Sequence, residues 1–319
     1  MARCLVLLNP RAGALKDLER APGPQTASER IAEAFAASGK QVEVRMVPPR
    51  DLGSALDEIA RADSHDEVIV GGGDGSVSRS LGRLLALGKT FGVLPLGTVN
   101  LLARDLGVPQ PLEAAIAALA QAEPRRVDLA SVNGRPFHSI SGLGFFAQMA
   151  RAREAARASG GLGRYLGFAL AAFRAFFRSG RSRYELVIDG RAQRVDATAV
   201  LVTNNAFADD SWRRPRLDGG EIEVIVAHAG GLRERLRLAV DVVTGGWRGN
   251  PLIEAFRARE AVVTKLRRRR VWVATDGELS REACPLRYAA LPAAAAMMRP
   301  IVPLGAPADA PPAGQPRGT

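Results

Sequence analysis

Cysteine is almost missing from this chain. Cys4 and Cys284 are the only two in 319 residues, which excludes a disulfide-stapled scaffold. Long apolar runs are missing as well. No stretch approaches the roughly 18 uninterrupted apolar residues of a spanning helix, and the best candidate, Leu166 to Phe177, is broken by Arg174. The N-terminal run Leu5 to Leu8 falls well short of a signal-peptide core, so a cytoplasmic protein is expected. No internal repeat is present. Apolar residues nonetheless make up 47% of the chain, enough for ordinary globular cores, and the length predicts about two domains at roughly 150 residues each.

Acidic excess is lacking too; the balance is strongly basic. Lys+Arg number 44 against 33 Asp+Glu, a net charge of +11. Residues 1–124 carry 13 basic and 15 acidic side chains, whereas residues 125–319 carry 31 and 18. The whole positive excess therefore lies in the second part. Nucleic acid, anionic lipid or phosphorylated substrates are its candidate partners. Compositional bias is an equal alternative, since 40 of the 44 basic residues are Arg.

Strands and helices alternate at first. Arg3 to Leu8, Gln41 to Val47, Val68 to Val70 and 91–94 read as strands. Helices are expected from an N-cap at Ser28 to Ala37, over Asp51 to Ala62, over 76–87 and from about Thr98. Short connections between them predict a parallel sheet covered on both faces. The character changes near Pro124. Seven β-like runs follow, with hairpin signals at Asn133-Gly134 and Asp189-Gly190 and helical insertions over 145–177 and 231–244. The fold class predicted is an α/β domain over 1–125 and a mostly antiparallel β-sandwich over 126–292. The Pro/Ala/Gly-rich tail 304–319 reads as disordered.

Two apparent motifs fail. Gly88-Lys89-Thr90 lacks the glycine that a P-loop needs at Arg83. Gly142 and Gly144 fit a relaxed dinucleotide fingerprint without its acidic residue, so close helix–strand packing explains them better. The strong signal is Val68 to Ser78, a strand emptying into Gly71-Gly72-Gly73-Asp74-Gly75 and then a helix. Glycines let backbone N–H groups approach a phosphate, and the helix N-terminus adds favourable partial charge. Asp74 would repel that phosphate unless Mg²⁺ or a substrate hydroxyl lies between them; the bland alternative is an N-cap. At the next strand end, Gly97-Thr98-Val99-Asn100 offers Thr98 and Asn100 as caps or phosphate ligands, and Arg104 and Asp105 read as a structural pair. The run Arg267 to Arg270 has only Trp272 as an aromatic neighbour and matches no nucleic-acid fold, so no nucleic-acid partner is expected.

Asn9-Pro10-Arg11-Ala12-Gly13, Gly72 to Ser76, Gly97 to Asn100, Ser141 to Phe146, Leu217 to Val224, Asp276-Gly277-Glu278 and Pro285-Leu286 occur in an order that resembles the diacylglycerol kinase catalytic-domain family, which includes bacterial lipid kinases and sphingosine kinases. The resemblance implies an ATP-dependent kinase acting on a lipid hydroxyl, diacylglycerol first, with sphingoid base, ceramide or another lipid alcohol behind it. It implies that Asn9 to Gly13 and Gly73, Asp74, Gly75, Ser76, Val77, Ser78 and Arg79 surround ATP, that Thr98 contacts it, and that Glu278 is the catalytic base. It implies that Asp74 organises Mg²⁺ or the acceptor hydroxyl. It also implies a structural Mg²⁺ on the loop Pro215 to Gly220, with Asp218 as side-chain ligand and backbone oxygens of Pro215 and Gly220. The last strand would return to the first domain over 293–303. Arg79, Leu101 and Val47 depart from the family pattern, and Ser76 replaces a commoner threonine. A catalytically silent membrane-binding scaffold is the reading from another class. Reversible docking at the inner membrane surface is expected, with Gly163 to Arg178 as an interfacial helix or as core packing.

Overall fold

The computed structural model describes residues 2–15, 25–157, 180–209, 212–228 and 230–301. The expectations for Gly163 to Arg178 and for the tail 304–319 lie outside these residues.

β1 (Arg3–Leu8) is buried from Cys4 to Leu8, as a strand covered on both faces must be. It pairs in parallel with β2 (Gln41–Met46) on one side and β3 (Glu67–Gly72) on the other, and β3 pairs in parallel with β4 (Thr90–Pro95). Helices α1 (Ala27–Ala37), α2 (Leu52–Ala62) and α3 (Asp74–Ala86) connect them. α1 is capped two residues before the expected position, by Thr26. Thr26 Oγ1 accepts the Glu29 N–H and the Glu29 carboxylate accepts the Thr26 N–H, a reciprocal box that Ser28 cannot form. α2 buries Leu52, Leu56 and Ile59, one stripe at helical spacing. The helix expected from Thr98 forms only as α4 (Leu101–Asp105), because Asn100 takes a left-handed conformation (φ 53°) that keeps residues 97–100 a turn. α5 (Leu112–Ala120) then leads into the second part.

There the strands are antiparallel. β5 (Glu123–Val132), β6 (Arg135–Phe137), β7 (Ile140–Gly144) and α6 (Phe145–Arg157) come first. β8 (Ser182–Ile188), β9 (Arg191–Asn204), β10 (Ile222–His228) and α7 (Leu232–Thr244) follow. β11 (Ile253–Ala258), β12 (Glu260–Lys265), β13 (Arg270–Thr275), β14 (Glu278–Ala283) and β15 (Leu286–Arg299) complete the chain. Val200, Val202, Val224, Val226, Val263 and Val273 share the sandwich core, each alternating with residues of the opposite face. Gly144 (φ 68°) admits no side chain: a Cβ there would lie 2.2 Å from the Thr198 carbonyl oxygen. The α/β domain followed by an antiparallel sandwich is the fold class that the sequence predicts.

β15 belongs to both parts. Leu286 to Ala289 pair with β12, Met297 pairs in parallel with Phe91 of β4, and β5 runs antiparallel along both halves. The bulge between them carries Ala293 at φ 49°, and its N–H donates to Asp128 Oδ1. One strand thus ties the parallel sheet to the sandwich. Among the described residues no helix is long and apolar enough to cross a membrane.

Candidate active site

Three loops leave the carboxyl ends of the neighbouring strands β1, β3 and β4, the edge where open α/β sheets bind ligands. The first is anchored to the second: the Asn9 N–H donates to the Gly71 carbonyl (3.1 Å), and Asn9 Oδ1 accepts from Arg11 N (3.0 Å). Pro10 is half-buried, Ala12 buried, and Arg11 and Gly13 exposed. The second and third touch through bare backbone. A Cβ on Gly97 would lie 2.5 Å from Gly73 Cα, so Gly97 excludes a side chain, and one on Gly73 would press on Gly97 Cα at 3.1 Å. α3 begins directly after, with Gly73 as its N-cap; Asp74 is the first helical residue, not the cap of the bland reading. Its carboxylate instead accepts the Leu102 N–H of α4 (3.4 Å), joining the two turns. Ser76 and Val77 are buried, Ser78 is half-buried, and Arg79 and Thr98 are exposed.

Asn100 is buried, and its amide is spent on its own loop. Oδ1 accepts from Gly97 N (2.8 Å), and Nδ2 donates to Gly97 O (2.9 Å) and Gln110 Oε1 (3.3 Å). It shapes the turn that displays Thr98. Val47 packs against the α/β core, and Leu101 is half-buried at the start of α4.

The sandwich supplies Glu278. Asp276 (φ 48°) and Gly277 (φ 80°) make the two-residue turn between β13 and β14, with left-handed conformations at both positions. The Asp276 carboxylate is fully buried and accepts the backbone N–H groups of His138, Ser139 and Ile140 at 2.9, 2.9 and 3.1 Å. His138 Nε2 is 3.4 Å from it. Beneath the turn Ser141 Oγ contacts Thr275 Oγ1 (2.9 Å) and the Tyr288 hydroxyl (3.2 Å), whose pKa burial pushes up, keeping the phenol neutral. So fixed, the turn projects Glu278 to the first turn of α3. Its Oε1 is 2.8 Å from Arg79 Nη1, and a Cβ on Gly75 would come within 2.6 Å of it. A cleft of about 510 Å³ opens here, lined by Ser78, Arg79 and Arg83 of α3 and by Arg135, Thr275 and Glu278 of the sandwich. Arg135, which pairs with Glu282 at 3.5 Å, was not singled out by the motifs; its only sequence signal is its place after the Asn133-Gly134 turn.

The expected pair Arg104–Asp105 does not form. Arg104 Nε donates to the Val99 carbonyl (2.8 Å), and the Asp105 carboxylate accepts from both Nε (3.1 Å) and Nη2 of Arg214. Adjacent helical residues point in different directions, so a partner from the other domain wins. Arg214 is buried and also donates Nη1 to the carbonyls of His138 (2.6 Å) and Asn204 (3.0 Å). It links the α4 end of the glycine loops to the segment that holds Asp276.

In the loop Pro215 to Gly220, Asp218 is exposed, and its Oδ1 accepts from Arg216 Nε (3.2 Å). The Gly220 N–H donates to buried Asp128. Among the described residues no group of three or more His, Cys, Asp or Glu could hold a metal ion.

Beneath α6 and α7, on the side of β7, β9 and β10 away from the sandwich core, lies an apolar cavity of about 440 Å³. Ile140, Phe146, Leu201, Ile225, Val242 and Trp247 contribute to its wall. Trp247 stacks on Trp212, with ring centroids 4.8 Å apart. Ile140 belongs to both sites, since its side chain lines the cavity while its N–H holds Asp276. Nothing in the periodicity of these segments distinguished a cavity wall from ordinary core.

Comparison with known proteins agrees with this geometry. A model of the diacylglycerol kinase catalytic domain matches residues 3–132, and one of the YegS C-terminal NAD kinase beta sandwich-like domain matches residues 140–299. A "Probable lipid kinase YegS-like" protein of Pseudomonas syringae pv. syringae is 35% identical over 133 residues, covering 40% of this chain and 43% of that protein. Its namesake in Chromohalobacter salexigens is 30% identical over 154 residues, covering 47% and 46%. The chain thus spans less than half the length of these curated relatives. Among solved structures, a diacylglycerol kinase from Bacillus anthracis str. Sterne superposes with a TM-score of 0.68 at 22% identity, over 93% of this chain and 97% of that one. Another crystal structure from that organism reaches 0.73 at 23% identity, over 93% and 95%. At such identities the likeness is one of fold.

Proposed function

The chain belongs to the diacylglycerol kinase catalytic-domain family, and from that premise we propose that it transfers the γ-phosphate of ATP to the hydroxyl of a lipid alcohol, diacylglycerol first among them. The observation that carries this reading is Glu278 meeting Gly75 and Arg79 at the start of α3. Phosphoryl transfer needs a phosphate cradle and a proton acceptor on opposite sides of the moving group. The glycine turn and the N-terminus of α3 supply the first, and the Glu278 carboxylate supplies the second. The lipid oxygen bonds to the γ-phosphorus, the bond from that phosphorus to the β–γ bridging oxygen breaks, and ADP departs. Glu278 takes the hydroxyl proton.

Asp74, a half-buried carboxylate beside the cradle, suits Mg²⁺ carried with the nucleotide. When bound, that ion neutralises phosphate charge. A lipid acceptor is supported by the apolar cavity, which shares Ile140 with the anchor of the Glu278 turn. The names of the relatives support it independently. An acceptor that stays in the bilayer requires reversible docking at the membrane surface, taken here as the cytoplasmic face.

The test is transfer of label from γ-labelled ATP to a panel of lipid alcohols in mixed micelles, with diacylglycerol, sphingoid base and ceramide side by side. Diacylglycerol is expected to give the most product. Label on another alcohol would keep the kinase and change the acceptor. No product with any, from folded protein that binds Mg-ATP, would favour a silent lipid-binding scaffold.

A further inference from the structure

The run Arg267 to Arg270 is a strong sequence feature that phosphoryl transfer leaves unused. Strand alternation explains what it builds. Along β13, Val271 and Val273 turn into the sandwich core, so Arg270 and Trp272 face outward. Arg281 of β14 sits directly opposite Trp272 in the antiparallel ladder. Lys265 ends β12, and Arg268 follows in the turn that Arg267 makes at φ 63°. From α6 the Arg151 guanidinium lies over the Trp272 ring, 5.1 Å from its centroid.

These groups enclose a concavity of about 470 Å³ lined by Arg151, Lys265, Arg268, Arg270, Trp272 and Arg281. Among the described side chains, which in α6 end at Arg151, none of the five cations has a carboxylate within ion-pair distance. By contrast, Arg79, Arg83 and Arg135 at the cleft beside Glu278 are paired with Glu278, Asp57 and Glu282. Convergence of like charges without counter-ions is unfavourable, and Lys265 registers it. Burial and then the charge of Arg268 hold its ammonium below the usual lysine range. A multiply charged anion would relieve that repulsion. Guanidinium forks suit phosphate oxygens, and Trp272, 42% exposed, is the residue type found where protein meets a lipid headgroup layer.

We infer that this concavity is a binding site for a phosphate-bearing ligand, separate from the nucleotide site. It occupies the open end of the β13–β14 hairpin, whose turn carries Glu278 at the other end. Its nearest cation along the strand, Arg281, is three residues of β14 from Glu278, about 10 Å. The phosphate comes either from the headgroup of an anionic phospholipid or from a free phosphate compound. Nucleic acid is disfavoured because a single aromatic side chain serves the site.

Three probes of the full chain test the inference. Vesicles of phosphatidylcholine with and without phosphatidylglycerol are read by co-sedimentation, inorganic pyrophosphate by calorimetry, and a single-stranded oligonucleotide by fluorescence polarisation. Each is compared with Arg268→Gln/Arg281→Gln, and Arg270→Gln serves as an independent second variant. All three arginines are exposed, so an unchanged melting temperature is expected. The double variant should lose about 10- to 30-fold in affinity for phosphatidylglycerol vesicles or for pyrophosphate. Loss on vesicles alone names the lipid headgroup, and loss on pyrophosphate as well names a free phosphate. Wild-type affinity in the variants, no binding of either probe, or an oligonucleotide bound more tightly than both would overturn the inference.

Discussion

Glu278 Oε1 lies 2.8 Å from Arg79 Nη1 and occupies the space a side chain at Gly75 would need. The two partners are 199 positions apart and come from different domains. Neither domain alone makes the site. The contact exists because β15 ties the sandwich to β4 and because buried Asp276 aims the β13–β14 turn.

Gly75→Ala separates stability from activity. Gly75 lies in α3 with no left-handed φ, so alanine should leave the fold intact or add up to about 1 kcal/mol of helix stability. The added methyl must displace the Glu278 carboxylate. Melting temperature is expected to hold or rise while turnover falls at least about 10-fold; unchanged turnover would show that Glu278 tolerates another position.

Arg79→Ala should cost little stability, because Arg79 and Glu278 are partly exposed and such pairs contribute about 0–1 kcal/mol. Turnover should fall while the affinity for ATP changes little, since the contact orients Glu278 rather than the nucleotide loops. Kinetics over an ATP series separates kcat from KM. A rise in KM alone would make Arg79 a nucleotide ligand.

Asp74→Asn preserves the shape of the turn and the bond to the Leu102 N–H but removes a charge. The expected result is weaker ATP binding that no longer responds to Mg²⁺, measured by calorimetry at several Mg²⁺ concentrations. An unaltered Mg²⁺ response would confine Asp74 to joining the two turns.

Arg214→Met leaves Asp105 buried without its cation, and should destabilise the protein by about 3–5 kcal/mol. Replacing both partners, Asp105→Leu with Arg214→Met, should recover much of that loss. Denaturant unfolding of these two variants and of Asp105→Leu alone gives the coupling; additive losses would show that the two side chains act independently.

Much of this was legible in the sequence. The Gly71 to Gly75 turn, the hairpins at Asn133-Gly134 and Asp189-Gly190 and the change of character near Pro124 are local signals, written in glycines, turn residues and periodicity. What escaped has two sources. Asp105 pairs with Arg214, a competitor that only the fold brings near. The capping of α1 by Thr26 rather than Ser28, and the bonds of Asn100 to Gly97 within its own loop, are local contacts among several that the same residues could have made. The apolar cavity escaped for another reason, because Ile140, Leu201 and Ile225 look the same in sequence whether they face a packed core or an empty space.

The central claim is that Glu278 accepts the proton of a lipid hydroxyl at the mouth of the glycine turn. Glu278→Gln keeps the size and one hydrogen-bond acceptor of the side chain and removes its basicity. The most direct measurement is single-turnover transfer from γ-labelled ATP to diacylglycerol in mixed micelles, with ATP affinity determined on the same preparations. The account predicts a loss of about 10²- to 10⁴-fold in the transfer rate with ATP binding nearly unchanged. Transfer by Glu278→Gln at the wild-type rate would contradict it and leave Glu278 as a turn residue.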